Sequence, residues 1–134
     1  MEIKELTRAE EQLMQILWQL QKGFIKDIIE ELPEPKPAYN TVSTIIRILE
    51  TKGFVDHQAF GKTHEYFPVI SKEEYQNFAT DKLMNGYFDN SVKHMFSYFV
   101  KKEKIDLKEA DEIMKLIEKL KDKWLWIGGN TYCW

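Results

Sequence analysis

Asn40, Thr41, Ser43, Thr44 and Arg47 crowd five hydrogen-bonding side chains into one short stretch, opened by Tyr39. Their types suit recognition rather than reaction. Amides and hydroxyls donate to and accept from base edges and phosphates, small side chains let a helix come close to a groove, and a guanidinium anchors phosphate or guanine. No carboxylate interrupts the run before Glu50. A plainer reading of the same stretch is an exposed helix whose solvent face is small and polar. Other candidates for chemistry are weaker. Asp56-His57 and His64-Glu65 are acid and imidazole neighbours, yet adjacent residues on a strand point to opposite faces and form no hydrogen-bonded dyad there. If Gly61-Lys62 is a two-residue turn, His57 and His64 share a face, but two histidines without a third ligand make a weak metal site. His94 has no evident partner. The single cysteine, Cys133, excludes a disulfide framework and a multi-cysteine metal cluster. With no Gly-rich phosphate loop and no nucleophile elbow, the expectation is a protein that is not an enzyme and has no metal or cofactor.

The recognition stretch needs a helix to carry it. Val42, Ile45, Ile46 and Leu49 recur at helical spacing and form the opposite, apolar stripe, with Gly53 as the stop. Upstream, Thr7-Arg-Ala-Glu10 is a capping box for a first helix whose buried face is Leu6, Ala9, Leu13, Ile16, Leu17 and Leu20. Lys22-Gly23 ends it. A shorter helix follows through Ile25, Ile28, Ile29 and Leu32, stopped by Pro33, Pro35 and Pro37. Downstream, Phe54 to Phe60 and Thr63 to Ile70 read as two strands around Gly61-Lys62. Three helices and a hairpin, with the polar-faced helix third, is the order of a winged helix-turn-helix, in which the third helix enters the major groove and the hairpin lies on the flanking backbone. Lys62 sits at the tip of that wing.

A second capping box, Ser71 with Glu74, opens a helix through Tyr75, Phe78, Ala79 and Leu83. Two more apolar faces follow. One comprises Phe88, Val92, Met95, Phe96, Phe99 and Val100; the other comprises Leu107, Ala110, Ile113, Met114, Ile117 and Leu120. Too few helices are present to bury both within one chain, so a homodimer is expected, cyclic dimers being the commonest soluble oligomer. The fold class is therefore mainly α with a small β-hairpin wing: a winged-helix domain over 1–71, a helical dimerisation domain over 72–123, and a Trp-rich tail over 124–134. Gly128-Gly129-Asn130 in that tail could turn a short hairpin.

Composition sets limits on the partner. The formal net charge of −3 excludes a protein that coats nucleic acid by bulk attraction. Local recognition survives this limit, because Lys36, Arg47, Lys52 and Lys62 outnumber Glu50, Asp56 and Glu65 between Lys36 and Tyr66. No apolar run approaches the roughly 20 residues of a membrane span, and the start lacks the apolar centre of a signal peptide. A cytoplasmic location without membrane insertion is expected.

With these pieces in order, the chain resembles the penicillinase-repressor (BlaI/MecI) family of bacterial regulators. The likeness rests on Leu6-Thr-Arg-Ala-Glu10 with Met14 and Leu17-Trp18, on Thr41-Val-Ser-Thr-Ile-Ile-Arg-Ile-Leu49 with Lys52-Gly53, on Gly61-Lys62 and on Tyr66-Phe-Pro68. It spans about residues 4 to 121. The resemblance implies a homodimeric repressor of double-stranded operator DNA, on dyads with TACA and TGTA half-sites. Asn40, Thr41, Ser43 and Thr44 match base-facing positions, and Arg47 and Lys62 match backbone contacts. It further implies inactivation by a membrane sensor-transducer protease, with Tyr98-Phe99 as the matching scissile bond, although the family usually has Asn before Phe. Copper-responsive relatives carry paired Cys-x-Cys motifs that lone Cys133 cannot supply. The alternative function is a winged helix that docks a protein partner without specific DNA binding, which would require apolar residues on the outer face of the third helix.

Overall fold

The first helix starts where its capping box says it should. Thr7 Oγ1 accepts from the Glu10 amide at 3.3 Å, and Glu10 Oε1 accepts in return from the Thr7 amide at 2.9 Å. The computed structural model describes residues 2–126, which fall into two compact units divided between Lys82 and Leu83. The first unit holds α1 (Arg8–Leu20), α2 (Ile25–Glu31), α3 (Tyr39–Thr51), β1 (Val55–Phe60), β2 (Thr63–Pro68) and the start of α4 (Lys72–Tyr87). The second continues with α5 (Val92–Lys101) and α6 (Leu107–Trp126).

Apolar spacing closes the core of the first unit. Phe54, Met14, Leu17, Ile28, Ile46, Leu49 and Val42 are almost wholly buried, so α1, α2 and α3 each contribute a stripe to one cluster. Ala9 was expected on the buried face of α1, but it is exposed and Met14 is buried instead. The hairpin is antiparallel with His57 opposite Tyr66 and Phe60 opposite Thr63, which leaves Gly61 and Lys62 as the turn. Gly61 has φ +64°, and Gly53, between α3 and β1, has φ 86°. Both values lie in the left-handed region that glycine enters without a side-chain penalty.

Four long-range hydrogen bonds tie the N-terminal part of the chain to the wing and to the segment that follows it. Gly23 exchanges backbone hydrogen bonds with Tyr66 at 2.9 and 2.8 Å, so the α1–α2 connection pairs with β2. Trp18 Nε1 donates to the Ile70 carbonyl at 2.9 Å, and the Leu6 amide donates to Tyr75 Oη at 3.1 Å. The last contact explains why the first unit runs past the boundary expected at 71/72. Ser71 and Glu74 do cap α4, but Tyr75 is buried and Phe78 packs against the same core.

In the second unit, Phe88 was expected on the apolar face of α5. It lies instead in the turn before that helix, where Asp89 and Asn90 take φ of 48° and 58°, and it is buried against the His94 and Tyr98 rings. Helix α5 buries none of its own residues. Val92, Val100, Leu107, Met114, Ile117 and Leu120 are exposed, while Met95, Phe96, Phe99, Ala110 and Ile113 are half-buried. Helix α6 continues to Trp126, three residues into the expected tail, and the hairpin expected at Gly128-Gly129-Asn130 lies outside the described residues. No described helix is long and apolar enough to cross a membrane.

Candidate nucleic-acid interface

Helix α3 buries Val42, Ile46 and Leu49 and turns Tyr39, Asn40, Thr41, Thr44 and Arg47 outward. Five of the six residues expected on its outer side are therefore exposed: Asn40, Thr44 and Arg47 share one helical face, while Tyr39 faces a hollow beside Phe24 and His64, and Thr41 faces another beside Gln12 and Pro37. Ser43 is not among them. It is only 8% exposed, because it follows Val42 around the helix onto the flank of the core. The Thr44 hydroxyl donates to the Asn40 carbonyl at 2.9 Å, and Thr51 does the same to Arg47 at 3.0 Å. Thr44 thus spends its only proton within the helix. It presents a methyl group and unshared oxygen lone pairs. Ile48 is exposed on the same helix, but it stands singly among Thr44, Arg47 and Thr51, and an isolated apolar residue is not a patch.

The four cations that the sequence places between Lys36 and Tyr66 divide into two pairs. Lys36 Nζ donates to the Glu30 and Leu32 carbonyls at 2.8 and 2.6 Å, which ties off the end of α2. Lys52 Nζ lies 2.6 Å from Glu10 Oε1 and also donates to the Glu5 carbonyl at 3.3 Å, joining the end of α3 to the start of α1. Both are structural. Arg47 and Lys62 are exposed, and neither has an ion-pair partner among the described residues. Lys26 was missed in the sequence. With Phe24, Tyr39, Thr63 and His64 it lines a hollow of about 220 Å³ where α2, the start of α3 and the wing meet. Its signal was its place near the start of the helix before the recognition stretch.

Electrostatics behind the face follow from burial. Burial raises the Glu10 carboxyl, but the Lys52 hydrogen bond, the Thr7 amide and the Lys52 charge outweigh it and hold the group below its ordinary value. Burial pushes the Tyr66 phenol up, and the nearby Glu50 charge adds to this while Arg47 offsets part of it. On the inner side of the wing, His57 Nδ1 meets Glu50 Oε2 at 2.5 Å. His57 and His64 do share a face, stacked with centroids 4.1 Å apart.

Three helices, a cross-connected hairpin and an uncovered polar third helix define a winged helix-turn-helix protein. A family model described as "Penicillinase repressor" matches residues 6–119. The chain belongs to the penicillinase repressor family, whose members are transcriptional repressors rather than enzymes. It is similar to the methicillin resistance regulatory protein MecI of Staphylococcus aureus strain N315, with 25% identity over 116 residues, covering 86% of this chain and 94% of the relative. It is also similar to the penicillinase repressor of Bacillus licheniformis, with 21% identity over 122 residues, covering 90% and 95%. Among solved structures it is similar to the DNA-binding domain of the repressor BlaI, with 25% identity and a TM-score of 0.49 over 55% of this chain and 92% of that one.

Proposed function

We propose that this repressor binds a dyad operator as a homodimer, with α3 of each protomer reading a half-site. One observation carries the reading: the outer face of α3 is polar and bears no carboxylate from Tyr39 to Arg47, while Arg47 and Lys62 stay uncommitted. Asn40 reads a base edge as donor and acceptor. Thr44, its proton spent on the helix, offers its methyl to a thymine methyl. Arg47, Lys62 and Lys26 contact phosphate.

The exposed apolar side chains of α5 and α6 support dimerisation. Each large side chain contributes roughly 1.5–3 kcal/mol when fully buried. Proteolysis is the proposed inducing step, at Tyr98–Phe99 within α5. A ten-residue helix that buries none of its own residues opens at low cost to admit a protease. Cutting there divides the dimer surface, and loss of bivalency weakens operator binding more than either contact set alone would.

Binding of the full chain to a TACA/TGTA dyad duplex and to a scrambled duplex, each over a salt series, tests the proposal. Three phosphate-contacting cations per protomer give a log–log salt slope of about −5 for a dimer. The dyad should be preferred on the order of 1000-fold or more. Equal, weak binding to both duplexes would overturn it.

A further inference from the structure

In the sequence, His57 lacked a third ligand. His64 does not become one: the two rings stack within 7° of parallel, so their in-plane lone pairs run side by side and do not converge. The structure gives His57 other partners. Its Nδ1 lies 2.5 Å from Glu50 Oε2 and 4.0 Å from Asp56 Oδ1, and one ligand atom from each of the three residues lies within 4.8 Å of the other two. We propose that Glu50, Asp56 and His57 bind a divalent transition-metal ion of the zinc type, linking the end of α3 to the first wing strand.

The donor set suits such an ion. One imidazole nitrogen and two carboxylate oxygens favour a borderline cation and leave a fourth tetrahedral position for water. With metal–ligand bonds of about 2.0–2.1 Å, neighbouring ligand atoms stand about 3.3 Å apart. The observed 2.5 and 4.0 Å straddle that value, and all three ligand atoms lie within 4.8 Å of one another, so changes of about 1.5 Å or less in each separation close the cage. The ligands are also held in orientation. The His57 amide donates to Asp56 Oδ1 at 2.8 Å, and the His57 ring packs against both the His64 and Tyr66 rings. Glu50 and Asp56 have no Lys or Arg ion-pair partner among the described residues, so two negative charges meet there with only an imidazole between them. An ion would replace the Nδ1 proton and neutralise both carboxylates.

The consequence for DNA rests on the function proposed above. An ion would fix the wing against α3 and remove two negative charges near the phosphates, so operator affinity should rise on loading. Zinc chloride titrated into the full chain by calorimetry, without DNA, tests the site alone. One ion per chain is expected. Asp56→Asn and His57→Gln should each weaken binding at least tenfold, while His94→Gln and Cys133→Ser leave it intact. Asp56 is exposed, and the circular-dichroism melt of its variant checks that folding is unchanged. No saturable zinc binding, or binding untouched in both ligand variants, would overturn the site. Operator binding with and without zinc is read separately. Tight zinc binding without operator binding refutes the DNA reading and upholds the site, and tight zinc binding with unchanged operator affinity refutes only the coupling.

Discussion

Lys52 counts in the sequence as one of the cations that could draw DNA, yet its geometry makes it a stability residue, and this is open to a sharp test. Glu10 Oε1 accepts from both the Thr7 amide and Lys52 Nζ, and the Glu10 side chain is 6% exposed. Replacing Lys52 by Met strands that carboxylate with only its backbone donor. Breaking a fully buried pair costs about 3–5 kcal/mol. Because the Lys52 side chain is 23% exposed, water recovers part of this, and about 2 kcal/mol is expected. For a unit of this size that is about 8–16 °C in thermal midpoint.

The pH dependence gives the sign independently. The Glu10 carboxyl is depressed in the folded chain, so its contribution is fully present above its unfolded value and is lost as pH falls through the folded one. Urea melts of wild type and Lys52→Met should therefore differ most near neutral pH and converge on acidification. The salt slope of operator binding should stay the same in the variant. A stability change under about 0.5 kcal/mol at neutral pH, or a gap that does not narrow in acid, would refute the reasoning. A reduced salt slope would return Lys52 to the DNA surface.

Other substitutions separate the proposed roles. Asn40→Ala should cost about 1–3 kcal/mol of operator binding and relax specificity at one position, whereas Thr44→Val, which keeps the methyl, should bind nearly as wild type; fluorescence anisotropy with single-base operator variants reads both. Lys62→Ala should weaken all duplexes alike and reduce the salt slope by about 1 per wing, read in the same titrations. Leu120→Glu, on the exposed face of α6, should shift the mass measured by sedimentation from dimer to monomer while leaving the first unit's melting unchanged.

Elements whose signals are local were legible in the sequence. The Thr7 and Ser71 boxes, the stop at Gly53 and the two-residue turn at Gly61-Lys62 each depend on residues within a few positions of one another, and so did the stripe of α3. The departures are of another kind. Ser43 has the right chemistry for the outer face, but the width of the buried stripe is set by what packs on it, which one helix does not reveal. Phe88 fits the period of α5, but Asp89 and Asn90 break the helix before that period begins. Lys36 and Lys52 look like free cations until the fold brings the α2 carbonyls and Glu10 to them.

The ends of α3 explain why its outer face is left bare. Val42, Ile46 and Leu49 seat the helix in the core along its length, and its polar ties lie at the C-terminal end: Glu50 to His57 on the wing, and Lys52, just past its last residue, to Glu10 on α1. Its first turn has no side-chain cap and no acidic residue. Polar positioning bonds therefore gather at the C-terminal end, and the side chains of Tyr39, Asn40 and Thr41 in the first turn, with Arg47 further along, are left without structural duty. A reading helix needs this division, because a side chain that anchors the fold cannot turn to a base without loosening it. Changes at Glu50 or Lys52 should accordingly alter wing position or stability before they alter sequence preference, and changes at Asn40 should do the reverse.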